Sequence, residues 1–379
     1  MDETAGGGTG PRRYPSRRWL LVIGAVAILA IAAGVAFVRL RSGPSVHGTG
    51  QTATAESLGT IVGPPLVGKD RVVLFSDDAM IGVDPRSREI MWRSDICRGV
   101  PADAIARTFS RRVIVWCEDG RLMALDPSDG SMEWSEDLGH TPDRISVGTT
   151  SIAISSTDVT TTTTLGSHGT TGMLSIRDAA TGVERWNRAV ANGHALAVDD
   201  GDVYSGEGND VVALDATTGS QVWSVHDPSG SLWVDQSMLV NRRSADQLAE
   251  LDRRSGEQQW ATDFRGGLEK ASLDRSVIIG VSGGRIVTRS NTTLAGFSTD
   301  DGSRSWAFAH KAALDDATAG DQRVAAIADG QLSILDAADG TVLSSRSTSA
   351  TSATIGSKQI AYVDDTGLVI EDLPALAGH

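Results

Sequence analysis

The chain has 379 residues and a formal net charge of −14 at pH 7. That length is too great for one small core and fits either two domains or one large repetitive domain. The acidic balance excludes a typical nucleic-acid binder, because phosphates require clustered Lys and Arg side chains.

The first predicted element is an uncharged apolar stretch, residues 19–38. Its length matches a helix that crosses about 30 Å of hydrocarbon. Arginines are more numerous before this stretch than after it, which predicts a cytoplasmic tail over residues 1–18 and an exported remainder. A cleaved signal peptide is the alternative, although its apolar core is usually only about 7–15 residues long. We therefore expect a single-pass anchor in the cytoplasmic membrane, with the N-terminus inside.

Residues 39–57 are mostly small and polar and are predicted to form a flexible linker. The segment that follows, residues 58–372, is internally repetitive, and residues 373–379 form a short C-terminal tail. The repeated motif places Asp first, Gly four positions later and Trp four positions after that, as in Asp215, Gly219 and Trp223. Copies recur at intervals of about 40 residues, which predicts a propeller or a solenoid.

Most copies keep all three motif residues. Six copies end in tryptophan, at Trp92, Trp134, Trp186, Trp223, Trp260 and Trp306. The turn positions before them and in the last copy are Asp126, Gly130, Asp178, Gly182, Asp215, Gly219, Asp252, Gly256, Gly302, Asp336 and Gly340. Three copies depart from the pattern: Arg88 replaces Gly in the first, Ser298 replaces Asp in the sixth, and Ser344 replaces Trp in the seventh.

Short β-rich runs favour the propeller over the solenoid. Two such runs, joined by turn residues such as Asp-Gly, precede each motif copy, and further runs carry the Trp and lead into the next copy. Four antiparallel strands per repeat are typical of a propeller blade. An eighth hairpin near the C-terminus has no motif, and residues 58–63 are predicted to supply its missing strand. We predict an all-β, eight-bladed β-propeller after a single transmembrane helix, with seven blades as the alternative.

The motif itself is interpreted as structural. An Asp side chain accepts backbone N–H groups two residues further on, and Gly provides the positive φ of a tight return. The Trp then lies on the outer strand, where it can bury about 150–250 Å² against the neighbouring blade. The alternative is an aromatic platform for a sugar or a cofactor, but similar tryptophans repeated around the ring favour a scaffold.

The spacing and the hairpin count resemble the PQQ-like β-propeller repeat family, over about residues 58–372. Within that family the chain looks most like the BamB-like proteins, whose propeller is a non-catalytic scaffold that grips other proteins. The chain departs from them because no Cys stands directly at the end of the apolar segment for lipid attachment, and the segment is predicted to be a membrane helix instead.

Quinone-dependent dehydrogenases share the repeat. The resemblance to them implies a vicinal Cys pair and calcium-binding acids, yet Cys97 and Cys117 are separated by twenty positions. Asp-rich turns such as DPSDG lack the distal Glu of an EF-hand loop. We therefore predict no cofactor, neither PQQ nor calcium, and no catalytic or metal-binding residue.

Cys97 and Cys117 are predicted to form a disulfide. Strands in a blade alternate in direction, so turns between second and third strands share a side of the ring with the links between blades. Cys97 lies in such a link and Cys117 ends a second strand, which puts both on that side. An exported compartment favours the bond, and two reduced packed thiols are the alternative.

The same side is expected to carry two insertions, residues 156–172 and residues 282–291. Binding usually resides in loops that a rigid scaffold positions, although a Thr-rich insertion can also be merely mobile. The candidate partner-binding residues are Thr157, Thr162, His168, Arg285 and Arg289. The sequence thus predicts a membrane-anchored extracytoplasmic scaffold that binds a protein or a cell-envelope component. The alternative is a quinone-binding or dehydrogenase-like protein.

Overall fold

The structure is a computed structural model that describes residues 46–47, 51–68, 70–95, 97, 105–106, 112–117, 119–140, 142–158, 171–191, 195–199, 201–227, 230–234, 238–244, 247–263 and 277–376. All of them belong to one unit, Pro44–His379. The predicted tail and membrane segment, residues 1–38, lie outside these ranges. Within the described ranges, no helix has the length and apolarity needed to span a bilayer.

Eight antiparallel sheets follow one another along the chain, and each sheet is one blade. Blade 1 contains β1 (Val46–His47), β2 (Leu66–Val67), β3 (Val72–Phe75), β4 (Met80–Val83) and β5 (Ile90–Ser94). Blade 2 contains β6 (Ile105–Ala106), β7 (Val113–Trp116), β8 (Arg121–Leu125) and β9 (Met132–Asp137). Blade 3 contains β10 (Arg144–Val147), β11 (Ser151–Asp158), β12 (Thr171–Asp178) and β13 (Glu184–Ala191). Blade 4 contains β14 (Ala195–Val198), β15 (Asp202–Glu207), β16 (Asp210–Asp215) and β17 (Gln221–His226).

The second half of the ring repeats this plan. Blade 5 contains β18 (Ser231–Val234), β19 (Leu239–Ser244), β20 (Gln247–Leu251) and β21 (Gln258–Asp263). Blade 6 contains β22 (Val277–Ser282), β23 (Arg285–Arg289), β24 (Thr293–Ser298) and β25 (Arg304–Ala309). Blade 7 contains β26 (Leu314–Gly320), β27 (Arg323–Ala328), β28 (Gln331–Asp336) and β29 (Val342–Ser347). Blade 8 contains β30 (Ala353–Ile355), β31 (Gln359–Asp364) and β32 (Gly367–Asp372).

Strand order within the blades follows the chain. In blades 2 to 7 each strand pairs with the next one, so the four strands run from first to fourth across the sheet. First strands of neighbouring blades contact one another from blade 2 to blade 8 and between blade 8 and blade 1, and blades 1 and 2 share a buried cluster. These strands therefore surround the centre of a closed ring. The predicted eight-bladed β-propeller is confirmed.

The core lies between blades. Strands alternate their side chains between two faces, and each face packs on a neighbouring blade. Leu174 and Ile176 of blade 3, for example, pack with Val203, Val212 and Leu214 of blade 4 in one buried cluster. Burial of both faces explains why the second and third strands consist of nearly continuous apolar runs.

The N-terminal segment closes the ring, although it does so at residues 51–54 and not at the predicted residues 58–63. Thr54 pairs with Gly367 at the start of β32. The N–H of Leu368 donates to the carbonyl of Ala53 over 3.1 Å, and the N–H of Ala53 donates to the carbonyl of Arg88 in blade 1 over 2.9 Å. The segment thus joins the last blade to the first.

The residues that follow already belong to the first blade. Helix α1 (Ala55–Leu58) comes directly after the closing segment, and its Leu58 is fully buried. Ile61 then pairs with Ser76, just beyond the end of β3. Residues 58–63 cannot fill the gap in blade 8, because the chain must reach the centre of the ring there to begin β2.

Candidate functional site

The repeated turn is built by its Asp. In the fourth blade, Oδ1 of Asp215 accepts the backbone N–H groups of Thr217 and Thr218 at 2.9 and 2.7 Å. The N–H of Gly219 donates to the Asp215 carbonyl over 2.9 Å, and Gly219 has a φ of 72°. The backbone N–H and hydroxyl of Thr218 lower the pKa of the Asp215 carboxyl. Asp84, Asp126, Asp178, Asp252 and Asp336 accept backbone N–H groups of their own turns in the same way.

The Trp of one blade contacts the turn of the next. The indole N–H of Trp223 donates to the carbonyl of Arg253 over 2.8 Å. A Cβ added at Gly256 would lie 2.6 Å from the Trp223 ring, so the indole occupies the space that glycine leaves open. The other five tryptophans donate to the residue after the Asp position, over 3.0 Å from Trp92, 3.2 Å from Trp134, 3.1 Å from Trp186, 3.1 Å from Trp260 and 2.9 Å from Trp306.

This geometry explains two of the departures from the motif. Blade 8 has no described fourth strand of its own and so brings no indole to the turn of blade 1, where Arg88 takes the glycine position at a φ of 60°. Ser344 stands on the outer strand of blade 7, and the motif is absent from blade 8, which follows it. A motif Trp is therefore present only where the next blade has the Gly that it contacts, and a motif Gly only where the preceding blade has the Trp.

The two sides of the ring have different roles. We call the side with the Asp–Gly turns the motif face. It also carries the turns between first and second strands, as the hydrogen bond from Ala216 N–H to the Gly201 carbonyl shows, at 2.8 Å. We call the opposite side the insertion face. It carries the turns between second and third strands and the links between blades, such as His310, which donates its N–H to the Thr292 carbonyl over 2.8 Å.

Cys97 and Cys117 form a disulfide, with their Cα atoms 5.6 Å apart. Both side chains are fully buried, in the cluster that joins blade 1 to blade 2. The bond lies on the insertion face and adds a covalent link to the Trp92 contact between the same two blades. It is a structural connection, since neither sulfur is accessible to solvent.

One of the two predicted insertions is wrong. Residues 282–291 are mostly strand β23 of blade 6, preceded by a tight turn at Gly283 and Gly284. Arg285 lies on the motif face, where its Nε donates to the Ala338 carbonyl over 3.1 Å. Arg289 lies at the insertion face, but it is tied to blade 7 by hydrogen bonds to two backbone carbonyls and lies 3.5 Å from Asp316. Sequence reasoning took the first strand of this blade for its second.

The other insertion begins on an extended hairpin. Strands β11, β12 and β13 of blade 3 have eight residues each, whereas the matching strands of blade 4 have six. The pairing of β11 with β12 continues through Thr157 to Asp158, opposite Thr171. Thr162 and His168 lie outside the described residues. Blade 3 therefore projects further at the insertion face than its neighbour.

Charged groups in the described core are engaged in structural contacts. On the motif face, Arg253 forms an ion pair with Asp199 and its Nε lies 3.3 Å from the Tyr204 hydroxyl. Burial raises the pKa of Tyr204, and nearby Asp202 raises it further. Among the described residues, no group of three or more His, Cys, Asp and Glu side chains is placed to hold a metal ion.

Residues 49–225 and 207–370 match the family model described as outer membrane protein assembly factor BamB. The chain belongs to this family. The match covers almost all of the described propeller. No curated protein matches the chain.

Solved structures are similar in fold at low identity. BamB from Moraxella catarrhalis has a TM-score of 0.55 and 18% identity, over 87% of this chain and 98% of that one. The computationally designed Ika8 protein has a TM-score of 0.63 and 14% identity, over 87% and 100%. The quinohemoprotein alcohol dehydrogenase from Comamonas testosteroni has a TM-score of 0.54 and 15% identity, over 86% and 73%. At these identities the likeness concerns the fold alone.

Proposed function

We propose that the protein is an extracytoplasmic scaffold that binds a protein or another cell-envelope component through its insertion face. Residues 19–38 anchor it in the cytoplasmic membrane, with residues 1–18 inside. Membership of the BamB family supports a role in protein interaction. The roles of the motif residues support it as well. These residues hold neighbouring blades together, so the loops are the part of the ring that can bind a partner.

The observation that carries the proposal is the extended hairpin of blade 3. Two further residue pairs, Thr157 with Gly172 and Asp158 with Thr171, lengthen it relative to blade 4. At about 3.4 Å per residue, this lifts the loop by about 7 Å above the neighbouring turn. A raised β-ribbon is a suitable support for a binding loop.

A capture experiment tests this role. The full-length protein is crosslinked in intact cells, purified, and compared with a variant in which Asn-Gly replaces residues 159–170. A two-residue turn of this type fits the pairing of Asp158 with Thr171. The matched control is Arg254→Gln, an exposed residue on the motif face. We expect one component to be enriched by the native chain and the control and to be lost with the shortened loop; equal enrichment by all three would refute the loop's role.

The membrane anchor has its own test. A reporter that is active only outside the cytoplasm, fused after residue 376, should be active and should sediment with membranes. Replacing Ile23 and Ile28 by Arg should release the protein from membranes, because a charge at the centre of a spanning helix costs about 3 kcal/mol. A native chain recovered in the soluble exported fraction would indicate a cleaved signal peptide instead.

Quinone binding is the second candidate. The fold likeness to a quinohemoprotein alcohol dehydrogenase favours testing it. The quinone cofactor is added with Ca²⁺ while the absorbance of the quinone and the Tm of the protein are recorded. We expect neither to change, and a saturable change in both would replace the scaffold proposal.

A further inference from the structure

A small cavity lies where blade 8 meets blade 1, and we call it the closure cavity. Its volume is about 210 Å³. One wall comes from the N-terminal segment, with Ala55 and Ile61, and the other comes from blade 8, with Thr351, Val363 and Asp364. The turn after Asp364 joins the second and third strands of blade 8, and Thr351 lies in the link from blade 7. The closure cavity therefore belongs to the insertion face.

Contacts between the two walls hold the closure cavity in shape. At one end, Thr54 of the N-terminal segment pairs with Gly367 of blade 8. At the other end, the Ser352 hydroxyl donates to the carbonyl of Gly63 over 3.3 Å, and both of these residues line the cavity. The closure cavity is thus part of the folded ring and needs no ligand to form it.

The space exists because blade 8 has a small side chain at one position of its second strand. Val363 stands where blade 1 has Phe75 and blade 2 has Trp116. Phe75 is fully buried in the cluster that joins blades 1 and 2, whereas Val363 is only partly buried against blade 1. A side chain from outside the chain can therefore enter between blade 8 and blade 1.

The closure cavity has one negative charge. Among the described residues that line it, Asp364 alone is charged. Oδ1 of Asp364 accepts the backbone N–H and the hydroxyl of Thr366 at 2.8 and 2.6 Å. Within the described ranges, no Lys, Arg or His forms an ion pair with this carboxylate. Its charge is therefore available to a cation that enters the cavity.

The borders of the closure cavity are acidic as well. Asp77 is exposed, and its Oδ1 lies 3.9 Å from where a Cβ on the cavity residue Gly59 would be. Asp365 is exposed next to Asp364 and accepts the Ser349 hydroxyl over 3.0 Å. Carboxylates on the border attract a positively charged group and repel an anion. Charge complementarity thus selects a cationic occupant.

Size and lining specify that occupant further. Pockets for small molecules usually measure about 300–1,000 Å³, so the closure cavity fits a single long side chain better. Ala55, Ile61 and Val363 can cover an apolar stem, as lysine and arginine side chains require. Because Thr366 takes both lone pairs of Oδ1, Asp364 keeps one oxygen for a ligand. A lysine ammonium can use one oxygen, whereas the two-pronged pairing of arginine needs both.

We propose that the closure cavity binds a lysine side chain of a partner protein. The methylene groups lie against the apolar wall, and the ammonium group donates to Asp364 and to the hydroxyl of Thr351. That a protein supplies the lysine rests on the proposed function. The affinity of the closure cavity for the side chain does not depend on it.

Saturation-transfer NMR with the full-length protein tests the closure cavity. The probe is acetyl-Gly-Lys-Gly-amide, whose only charge is the lysine side chain. We expect a Kd of about 1–10 mM, and Asp364→Asn should weaken binding about fivefold or more. The amide oxygen of this variant can still accept the two hydrogen bonds from Thr366. The matched control Asp365→Asn removes the same charge one residue away, keeps an acceptor for Ser349, and should bind as the native chain does.

Two further arms separate the charge from the space. A peptide with norleucine in place of lysine keeps the stem without the charge and should bind about fivefold or more weakly. Val363→Phe introduces the side chain that blade 1 has at this position and should abolish binding by filling the cavity. If this variant does not fold, Asp364→Asn and its control still decide the outcome.

Four results would overturn the proposal. These are no saturable binding up to about 20 mM, native affinity in Asp364→Asn, an equal loss in Asp365→Asn, or equal binding of the norleucine peptide. Tighter binding of the matching arginine peptide would assign the cavity to guanidinium groups instead. The titration contains no partner, so its failure overturns only the closure cavity. Failure of the native chain to capture a component in cells overturns only the proposed function.

Discussion

The contact between Trp223 and Gly256 allows a quantitative test of why the motif needs glycine. Gly256 has a φ of 74°, and an added Cβ would lie 2.6 Å from the indole and 2.8 Å from Val225. Alanine at this φ costs about 1–2 kcal/mol in backbone strain. Moving the indole to an ordinary carbon contact distance costs about 1–3 kcal/mol more. We therefore expect Gly256→Ala to lower the free energy of unfolding by about 2–5 kcal/mol.

A matched control separates the two contributions. Gly208 has a φ of 66°, and an added Cβ would meet no atom within 4 Å. Gly208→Ala should therefore lose only the strain of about 1–2 kcal/mol in urea unfolding followed by tryptophan fluorescence. In a Trp223→Ala background, Gly256→Ala should lose less stability than in the native background, because the indole is gone and only the Val225 contact remains. If the two glycine variants lost equal stability in the native background, or if the larger loss persisted without Trp223, the reasoning would be refuted.

Three further outcomes are expected. Trp306→Ala should lower the free energy of unfolding by about 3–5 kcal/mol. Ser344 is exposed at the matching position of the next blade, and Ser344→Ala should change the free energy of unfolding by less than about 0.5 kcal/mol. Similar losses for both variants in urea unfolding would show that the Trp–Gly contact between blades does not stabilise the ring. Replacing Cys97 and Cys117 together by Ala should cost about 3 kcal/mol, because the bond closes a loop with a sequence separation of 20, and an unchanged Tm would count against this. The hydrogen bonds of its turn lower the folded pKa of Asp215 below 3.8, so the carboxylate's contribution to stability is present above pH 3.8 and is lost as the pH falls through the folded pKa. The Tm of Asp215→Asn should therefore fall less than the Tm of the native chain between about pH 6 and about pH 3. Equal decreases in Tm would argue against this turn's contribution.

Local patterns in the sequence predicted the architecture well. The recurrence of Asp, Gly and Trp at fixed spacing, together with the count of hairpins, favoured eight blades over seven. The turn is readable from the sequence because its Asp acts within a few positions of itself: Asp215 accepts N–H groups two and three residues further on. The same local patterns gave a wrong assignment in blade 6, because the first strand and the second strand, which Gly283 and Gly284 join, are both short apolar runs and cannot be told apart from the sequence.

The candidate sites depended on distances that no local pattern contains. Arg285 and Arg289 differ by four positions, yet a strand carries them to opposite faces of the ring. Arg289 and Asp316 come within 3.5 Å of each other only because blade 6 packs on blade 7.

By itself, the sequence determined the repeat and the structural role of each turn, since these follow from short-range hydrogen bonding and strand periodicity, and its hairpin count favoured eight blades over seven. Only the tertiary structure decided how the ring closes, through residues 51–54 between blade 8 and blade 1. It also decided why Arg88 and Ser344 are tolerated, because a glycine or a tryptophan is required only where a neighbouring blade supplies its partner. Ring closure and the Trp–Gly contacts both involve residues that are far apart in the chain, and these residues come into contact only in the folded ring.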